Sequence, residues 1–304
     1  MRAMVVLVGR QPLPNLIPIK HLRPGWVCFV YTDASRAVYE HTAALVRRMG
    51  IETHGLLVDA YDVAGTSAAL SALILPLTRE AVSVTINLTG GTKTMVLAAF
   101  QVARRGDFPV LYLNSEQDPM VLYRYGWRDG ELSQVQAETP LVDVTIAEYL
   151  DAHLGPGAWH HGELDLANAG GAFESAVAST LRECADEVVT SIRLLGGSTE
   201  VDMLARTGSR FAIFEVKSGQ SGRRADGIKQ LSSVAKSLSI YTALYYVIEV
   251  EMEKSQQMLV DSHGVQVVSL GAHRSEPCRL EAEDDARLTA AALRTLGSPA
   301  GTHR

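Results

Sequence analysis

Five short, almost wholly apolar runs, each separated from the next by polar or helix-patterned sequence, constrain the first half of this chain more than any other feature. The runs are Met4–Val8, Trp26–Tyr31, Thr53–Val58, Val82–Asn87 and Val110–Asn114. A strand that is apolar on both faces must be covered on both, and strands alternating with helices achieve this as a parallel sheet between helix layers. The fold class expected is therefore α/β, with helices at Ser35–Met49, Thr66–Leu77 and Lys93–Arg105. Two further strands, Met120–Tyr125 and Glu131–Gln136, flank Gly126-Trp127-Arg128-Asp129-Gly130, whose Gly and Asp suit a hairpin loop. Asp143 is placed to N-cap a helix ending near Leu154.

Gly155-Pro156-Gly157 then breaks the pattern. A length of 304 residues suits two domains, and the expected boundary falls here, giving domains 1–154 and 158–304. The second half has another order: a helix (Gly171–Ala185), three strands (Val188–Arg193, Val201–Arg206, Arg210–Lys217), a helix (Asp226–Leu238), a strand (Thr242–Glu249), a short helix near Lys254–Val260 and a strand (Val265–Leu270). Clustered strands with helices beside them imply a mixed sheet. Residues 271–304 read as a polar, Ala-rich tail with one helix, Glu281–Leu296.

Other features limit the function. No window reaches the roughly 18 apolar residues of a membrane span, the start Met1-Arg2-Ala3-Met4 lacks the pattern of a signal peptide, and Cys28, Cys184 and Cys278 have no metal-ligand spacing. A reduced, cytoplasmic setting without structural zinc or membrane partner is expected. The net charge of −6 argues against coating nucleic acid by bulk attraction. Within that acidic chain, Arg206 to Lys236 holds seven basic residues against two acidic ones, which suits either a solvated face or a phosphate-binding one.

Two constellations carry chemistry. Asn87-Leu88-Thr89-Gly90-Gly91-Thr92-Lys93-Thr94 follows a buried strand and opens a helix, so free N–H groups and the positive helix end favour an anion there. Its glycines permit close backbone approach, and Thr89, Thr92 and Lys93 add donors and charge. It is not a G-x-x-x-x-G-K-[ST] loop. In an open parallel sheet, ligands bind outside the carboxyl ends of strands, which adds Gly9-Arg10-Gln11-Pro12-Leu13-Pro14-Asn15 and Thr32-Asp33-Ala34-Ser35. Asp33 and Ser35 also suit a plain helix cap.

The second constellation is Glu200 to Lys217. Gly208-Ser209 suits a two-residue type II′ turn, so facing residues sum to 417: Thr207 faces Arg210, Asp202 faces Glu215 and Glu200 faces Lys217. These four charged positions share one sheet face, with facing Cβ atoms about 4.5–5.5 Å apart. Two carboxylates so close repel unless a cation intervenes. A hard ion such as Mg²⁺, held by Asp202, Glu215 and the Val216 carbonyl, meets that need. Lys217 beside it would orient water or stabilise charge on a phosphate.

Together these segments resemble a CRISPR-associated Rossmann-fold (CARF) sensor domain fused to a PD-(D/E)xK-type nuclease of restriction-endonuclease-like α/β fold. Val8-Gly9-Arg10-Gln11-Pro12-Leu13-Pro14-Asn15 and Asn87 to Met95 match the ligand loops; Gly171-Ala172-Phe173-Glu174, Glu200-Val201-Asp202, Glu215-Val216-Lys217 and the helix with Gln230-Leu231 match the nuclease motifs in order. The resemblance implies Asp202, Glu215, Lys217 and the helix residue Glu174 as catalytic. It implies Mg²⁺ or Mn²⁺ as cofactor and a cyclic oligoadenylate, most often the tetra-adenylate, as allosteric activator. It further implies DNA or RNA as substrate, a homodimer sharing one ring about a two-fold axis, and a hinge at Val144–Leu154 with its glycine exit. The alternative is a cyclic-nucleotide-sensing regulator whose nuclease-like half binds nucleic acid without cutting. Arg36 to His41 formally fits the R-x-x-x-x-H of HEPN ribonucleases, but it sits on a helix between sheet strands. A dinucleotide oxidoreductase is disfavoured, because the first strand leads into Gly9-Arg10-Gln11-Pro12 and not into G-x-G-x-x-G.

Overall fold

The computed structural model describes residues 2–80, 82–115, 119–163, 166–194, 199–219, 221, 226–238, 242–250, 260, 263–271 and 279–297. The expected helix near Lys254–Val260, and Cys278, Arg223 and Arg224, lie outside the described residues, apart from Val260 itself. The chain divides into two compact units, Met1–Val142 with Asp151–Gly155, and Asp143–Leu150 with Pro156–Arg304.

The first unit is built on a seven-stranded sheet. Its strands are β1 (Arg2–Leu7), β2 (Trp26–Tyr31), β3 (Glu52–Leu57), β4 (Ser83–Asn87), β5 (Val110–Asn114), β6 (Val121–Arg128) and β7 (Glu131–Glu138), in the order β3-β2-β1-β4-β5-β6-β7. The first five run parallel, as their apolar composition requires, and β6 and β7 are antiparallel. Val5, Val6, Leu7, Cys28, Phe29 and Val30 are fully buried. Helices α2 (Arg36–Arg48), α3 (Val63–Arg79) and α4 (Lys93–Arg105) follow the expected segments. The β6–β7 turn is only Asp129-Gly130, with φ of 53° and 78°. That is a two-residue turn of the I′ kind, so β6 runs on through Gly126-Trp127-Arg128 of the five-residue loop expected from the sequence, while β7 begins at Glu131 as expected.

One helix was hidden by its own composition. Leu13–Leu22 (α1) contains Pro14 and Pro18 and reads as a loop, yet Pro is tolerated in a first turn, where N–H groups have no partner. Pro18 then deprives the Pro14 carbonyl of its helical donor, and the buried Asn87 side chain supplies one instead, Nδ2 to O at 3.0 Å.

The helix α5 (Ile146–Leu154) begins at Thr145, not at the expected cap Asp143. Thr145 and Glu148 form a reciprocal cap: the Thr145 N–H donates to Glu148 Oε2 at 2.9 Å and the Glu148 N–H to Thr145 Oγ1 at 3.1 Å. Asp143 instead faces Arg206, 3.4 Å away. The helix ends where Gly155 adopts a left-handed φ of 96°.

The second unit carries a mixed six-stranded sheet of β8 (Trp159–His161), β9 (Glu187–Leu194), β10 (Thr199–Thr207), β11 (Arg210–Lys217), β12 (Ala243–Ile248) and β13 (Val265–Ser269), ordered β13-β12-β11-β10-β9-β8. Helix α6 (Ala169–Cys184) is capped by Asn168, whose Oδ1 accepts from Gly171 N at 2.8 Å. Helices α7 (Asp226–Ser237) and α8 (Ala282–Leu296) also belong to this unit. Far from being a polar tail, α8 puts Leu288, Ala291, Ala292 and Leu296 into one core with Phe173, Leu181, Met203, Phe214 and Tyr245. The basic stretch is no uniform solvated face either. Arg206 is 8% exposed and tied to Glu187 at 2.7 Å, with Asp186 at 3.8 Å, and Arg210 donates to the Thr295 carbonyl at 3.3 Å.

Candidate functional site

In the first unit, the loops after β1, β2, β3 and β4 meet at the carboxyl ends of the strands around a groove of about 870 Å³. Gly9, Arg10, Thr32, Asp33, Ser35, Gly91 and Thr92 line it, as do Asp59, Ala60 and Tyr61 from the β3–α3 loop. That third loop was missed in the sequence, although the rule that selected the loops after β1 and β2 applies equally to β3.

The glycine loop is shaped by packing first. A Cβ on Gly90 would lie 2.2 Å from the Leu7 carbonyl oxygen, and Gly91 has a left-handed φ of 76° with Leu7 Cβ 2.9 Å from where its own would stand. Only glycine lets this loop lie against β1. Thr92 caps α4, accepting from Met95 N at 3.2 Å, and its hydroxyl donates to the Ala60 carbonyl at 3.1 Å. Lys93 is exposed on the first turn of α4, where the positive helix end is strongest. Thr32 and Ser35 line the groove and also form a cap, Thr32 N donating to Ser35 Oγ at 3.0 Å, while Asp33 pairs with Arg36 at 2.7 Å.

The remaining loop residues lie elsewhere. Asn15 is buried, with Nδ2 donating to the Leu7 carbonyl at 2.8 Å. Thr89 donates from Oγ1 to Asn87 Oδ1 at 2.6 Å and accepts from Leu113 N at 2.8 Å. Pro12 is buried at the start of α1, and the buried Oε1 of Gln11 has no hydrogen-bond partner among the described residues. Asn15 and Thr89 therefore brace the loops from beneath.

In the second unit, β10 and β11 pair from Met203↔Phe214 to Thr207↔Arg210, the register that sums to 417. Gly208 turns the hairpin at φ 58°. Past Met203 a side chain joins the strands: the Val216 N–H donates to Asp202 Oδ2 at 2.7 Å. Lys217 reaches both acids, its Nζ 3.1 Å from Asp202 Oδ2 and 2.7 Å from Glu215 Oε1. The ammonium thus stands where the two carboxylates converge.

Burial makes this cluster unusual. Glu215 is 1% and Asp202 9% exposed. Desolvation and then the Asp202 charge push the Glu215 carboxyl up to about 7, against the pull of Lys217. Glu174, on α6, is likewise pushed up to about 7 by desolvation and then Asp202. Burial alone would lower the Lys217 ammonium, but Glu215 and Asp202 outweigh it and raise its pKa. Glu200 stands at the margin, 43% exposed and 3.8 Å from Arg193.

Among the described residues, no three His, Cys, Asp or Glu side chains are already gathered as a metal-ligand set. The donor chemistry nonetheless fits a hard divalent cation. Three carboxyl groups, of Glu174, Asp202 and Glu215, interact electrostatically around a single ammonium, and oxygen donors with surplus negative charge are what such ions select.

Residues 3–149 match the family model described as the Card1 CARF domain. No curated protein sequence matches the chain. Its fold is similar to that of protein VC1899 from Vibrio cholerae, with a TM-score of 0.76 at 12% identity, covering 98% of this chain and 99% of that one. Can2 from Sulfobacillus thermosulfidooxidans, solved in complex with cyclic tetra-adenylate, is similar with a TM-score of 0.71 at 16% identity over 97% and 99% of the two chains. A type III CRISPR defence DNA nuclease activated by cyclic oligoadenylate is similar at 0.63 and 15% identity, covering 98% of this chain and 52% of that one. The likeness is one of fold and extends across both units. No described helix is long and apolar enough to cross a membrane.

Proposed function

We propose that this chain is a metal-dependent nuclease of type III CRISPR defence, switched on by cyclic oligoadenylate and cutting phosphodiester bonds of DNA, RNA or both. The observation that carries the reading is the buried Asp202–Lys217–Glu215 cluster in a chain whose other unit matches a CARF domain. Two fold neighbours, one bound to cyclic tetra-adenylate and one activated by cyclic oligoadenylate, support the same ligand class. Cyclic tetra-adenylate is the expected activator, and its two-fold axis suits a homodimer offering the groove twice.

Asp202, Glu215 and the Val216 carbonyl would hold Mg²⁺ or Mn²⁺, which when bound supplies charge neutralisation at the scissile phosphate and acidifies water. The chain's own groups do the rest. Glu174, whose carboxyl is pushed up to about 7 in the metal-free protein by burial and then by Asp202, would serve to move a proton to or from water. Lys217 spends two of its three N–H groups on carboxylates and has a third for an anionic phosphate oxygen.

The test incubates the protein with labelled DNA and RNA and Mg²⁺ or Mn²⁺, with and without cyclic tetra- or hexa-adenylate. Cleavage is expected only when ring and metal are both present. Ring binding without cleavage of any substrate would instead identify a regulator that binds nucleic acid.

A further inference from the structure

Tyr61 is left unexplained by the cap and packing contacts of the groove. It is 82% exposed, against 46% for Tyr112, and it sits on the groove's rim. A single exposed aromatic is ordinary; one whose backbone is fastened beside a ligand groove is not. The Tyr61 N–H donates to Asp59 Oδ1 at 2.8 Å. The preceding Ala60 carbonyl accepts from Thr92 Oγ1 at 3.1 Å and from Thr94 Oγ1. Because Thr92 also caps α4 through Met95 N, the backbone carrying Tyr61 is fastened to the start of α4. The groove therefore offers an exposed aromatic ring and an anion-favouring helix start, held by one set of hydrogen bonds.

A ligand that satisfies both carries planar bases along a phosphodiester backbone. We propose that Tyr61 stacks on a purine base of the ligand held in this groove and contributes base affinity that the phosphate contacts do not. This rests on the activator reading above. Stacking on an aromatic platform needs a π face and no particular hydrogen bonds, so Phe and Trp should replace Tyr61 whereas Leu, apolar and bulky but not aromatic, should not.

The test is calorimetric titration of the full chain with cyclic tetra-adenylate. Tyr61→Ala and Tyr61→Leu should each lose about ten- to a hundredfold in affinity, while Tyr61→Phe and Tyr61→Trp stay within about threefold of the parent. All four should unfold at the parent's temperature, since the ring is solvent-exposed. If the parent binds but Tyr61→Ala binds equally well, or Tyr61→Leu matches Tyr61→Phe, the stacking role is overturned while the activator reading stands. If the parent binds neither cyclic tetra- nor cyclic hexa-adenylate, the activator reading falls and takes the stacking role with it.

Discussion

Replacing Asp202 by Asn separates the electrostatic work of the acidic cluster from its structural work. In the parent, Asp202 Oδ2 accepts from Val216 N at 2.7 Å and from Lys217 Nζ at 3.1 Å. An amide oxygen of the same shape can still take the Val216 N–H, so the fold should lose no more than about 1 kcal/mol, the net worth of one ordinary hydrogen bond. The lost charge matters more. Lys217 keeps only Glu215 as a carboxylate partner, and a divalent ion loses a charged contact worth about 1.5–3 kcal/mol, or roughly ten- to a hundredfold in affinity. Glu215 should respond as well, because Asp202 is the second cause, after burial, of its rise to about 7. Three measurements follow: denaturant unfolding, calorimetric titration with Mg²⁺ or Mn²⁺, and carboxyl titration of Glu215 by NMR. Cleavage should drop by orders of magnitude, Mg²⁺ affinity should fall as stated, and Glu215 should titrate at lower pH. Parent-level cleavage, or an unmoved Glu215, would refute the account of the cluster.

The metal-free protein should lose stability as pH rises. Glu174 and Glu215 have folded-state values raised from 4.5 to about 7, so their contribution is complete below about 4.5 and is lost as pH climbs through 7; Glu215→Gln should flatten that slope in urea unfolding curves. Asn87→Ala should destabilise the first unit by roughly 2–4 kcal/mol by orphaning buried partners at Pro14 and Asn15 and a half-buried one at Thr89, a loss that chemical denaturation would register and that a change under about 0.5 kcal/mol would contradict. Lys93→Ala should weaken cyclic tetra-adenylate binding about tenfold with stability unchanged, whereas Gly91→Val should lower the melting temperature itself, because φ 76° and Leu7 leave no place for a side chain.

What the sequence made legible followed from strong periodicities. The five apolar runs became five parallel strands, of which β1 and β2 are covered on both faces whereas β3, at the sheet edge, has no buried residue, and a two-residue turn at Gly208-Ser209 fixed a register that a reader can count. What stayed hidden was set by partners distant in the chain. The helix Leu13–Leu22 depends on Asn87, 73 residues away, to satisfy the carbonyl that Pro18 abandons. The strand Trp159–His161 is only three residues long and exists by pairing with Glu187–Leu194. The helix cap at Thr145 was readable, since Thr145-Ile146-Ala147-Glu148 is a capping box; Asp143 was chosen for its side chain alone.

The same distinction governs the groove. Asn15, Thr89 and Thr92 all look like ligand donors in sequence, because loop hydroxyls and amides at the carboxyl ends of strands are the groups a ligand would use. Structure assigns them by accounting for their bonds. Asn15 joins the Leu7 carbonyl to Asn87, and Thr89 joins Asn87 to Leu113, so neither has much left for a ligand. Thr92 is partly spent, yet it still lines the groove. Lys93 and Arg10 are exposed, with no ion pair among the described residues. We propose that an anion in this groove is met by those two cations and the first N–H groups of Lys93–Arg105, while the polar residues between them tie the loops together.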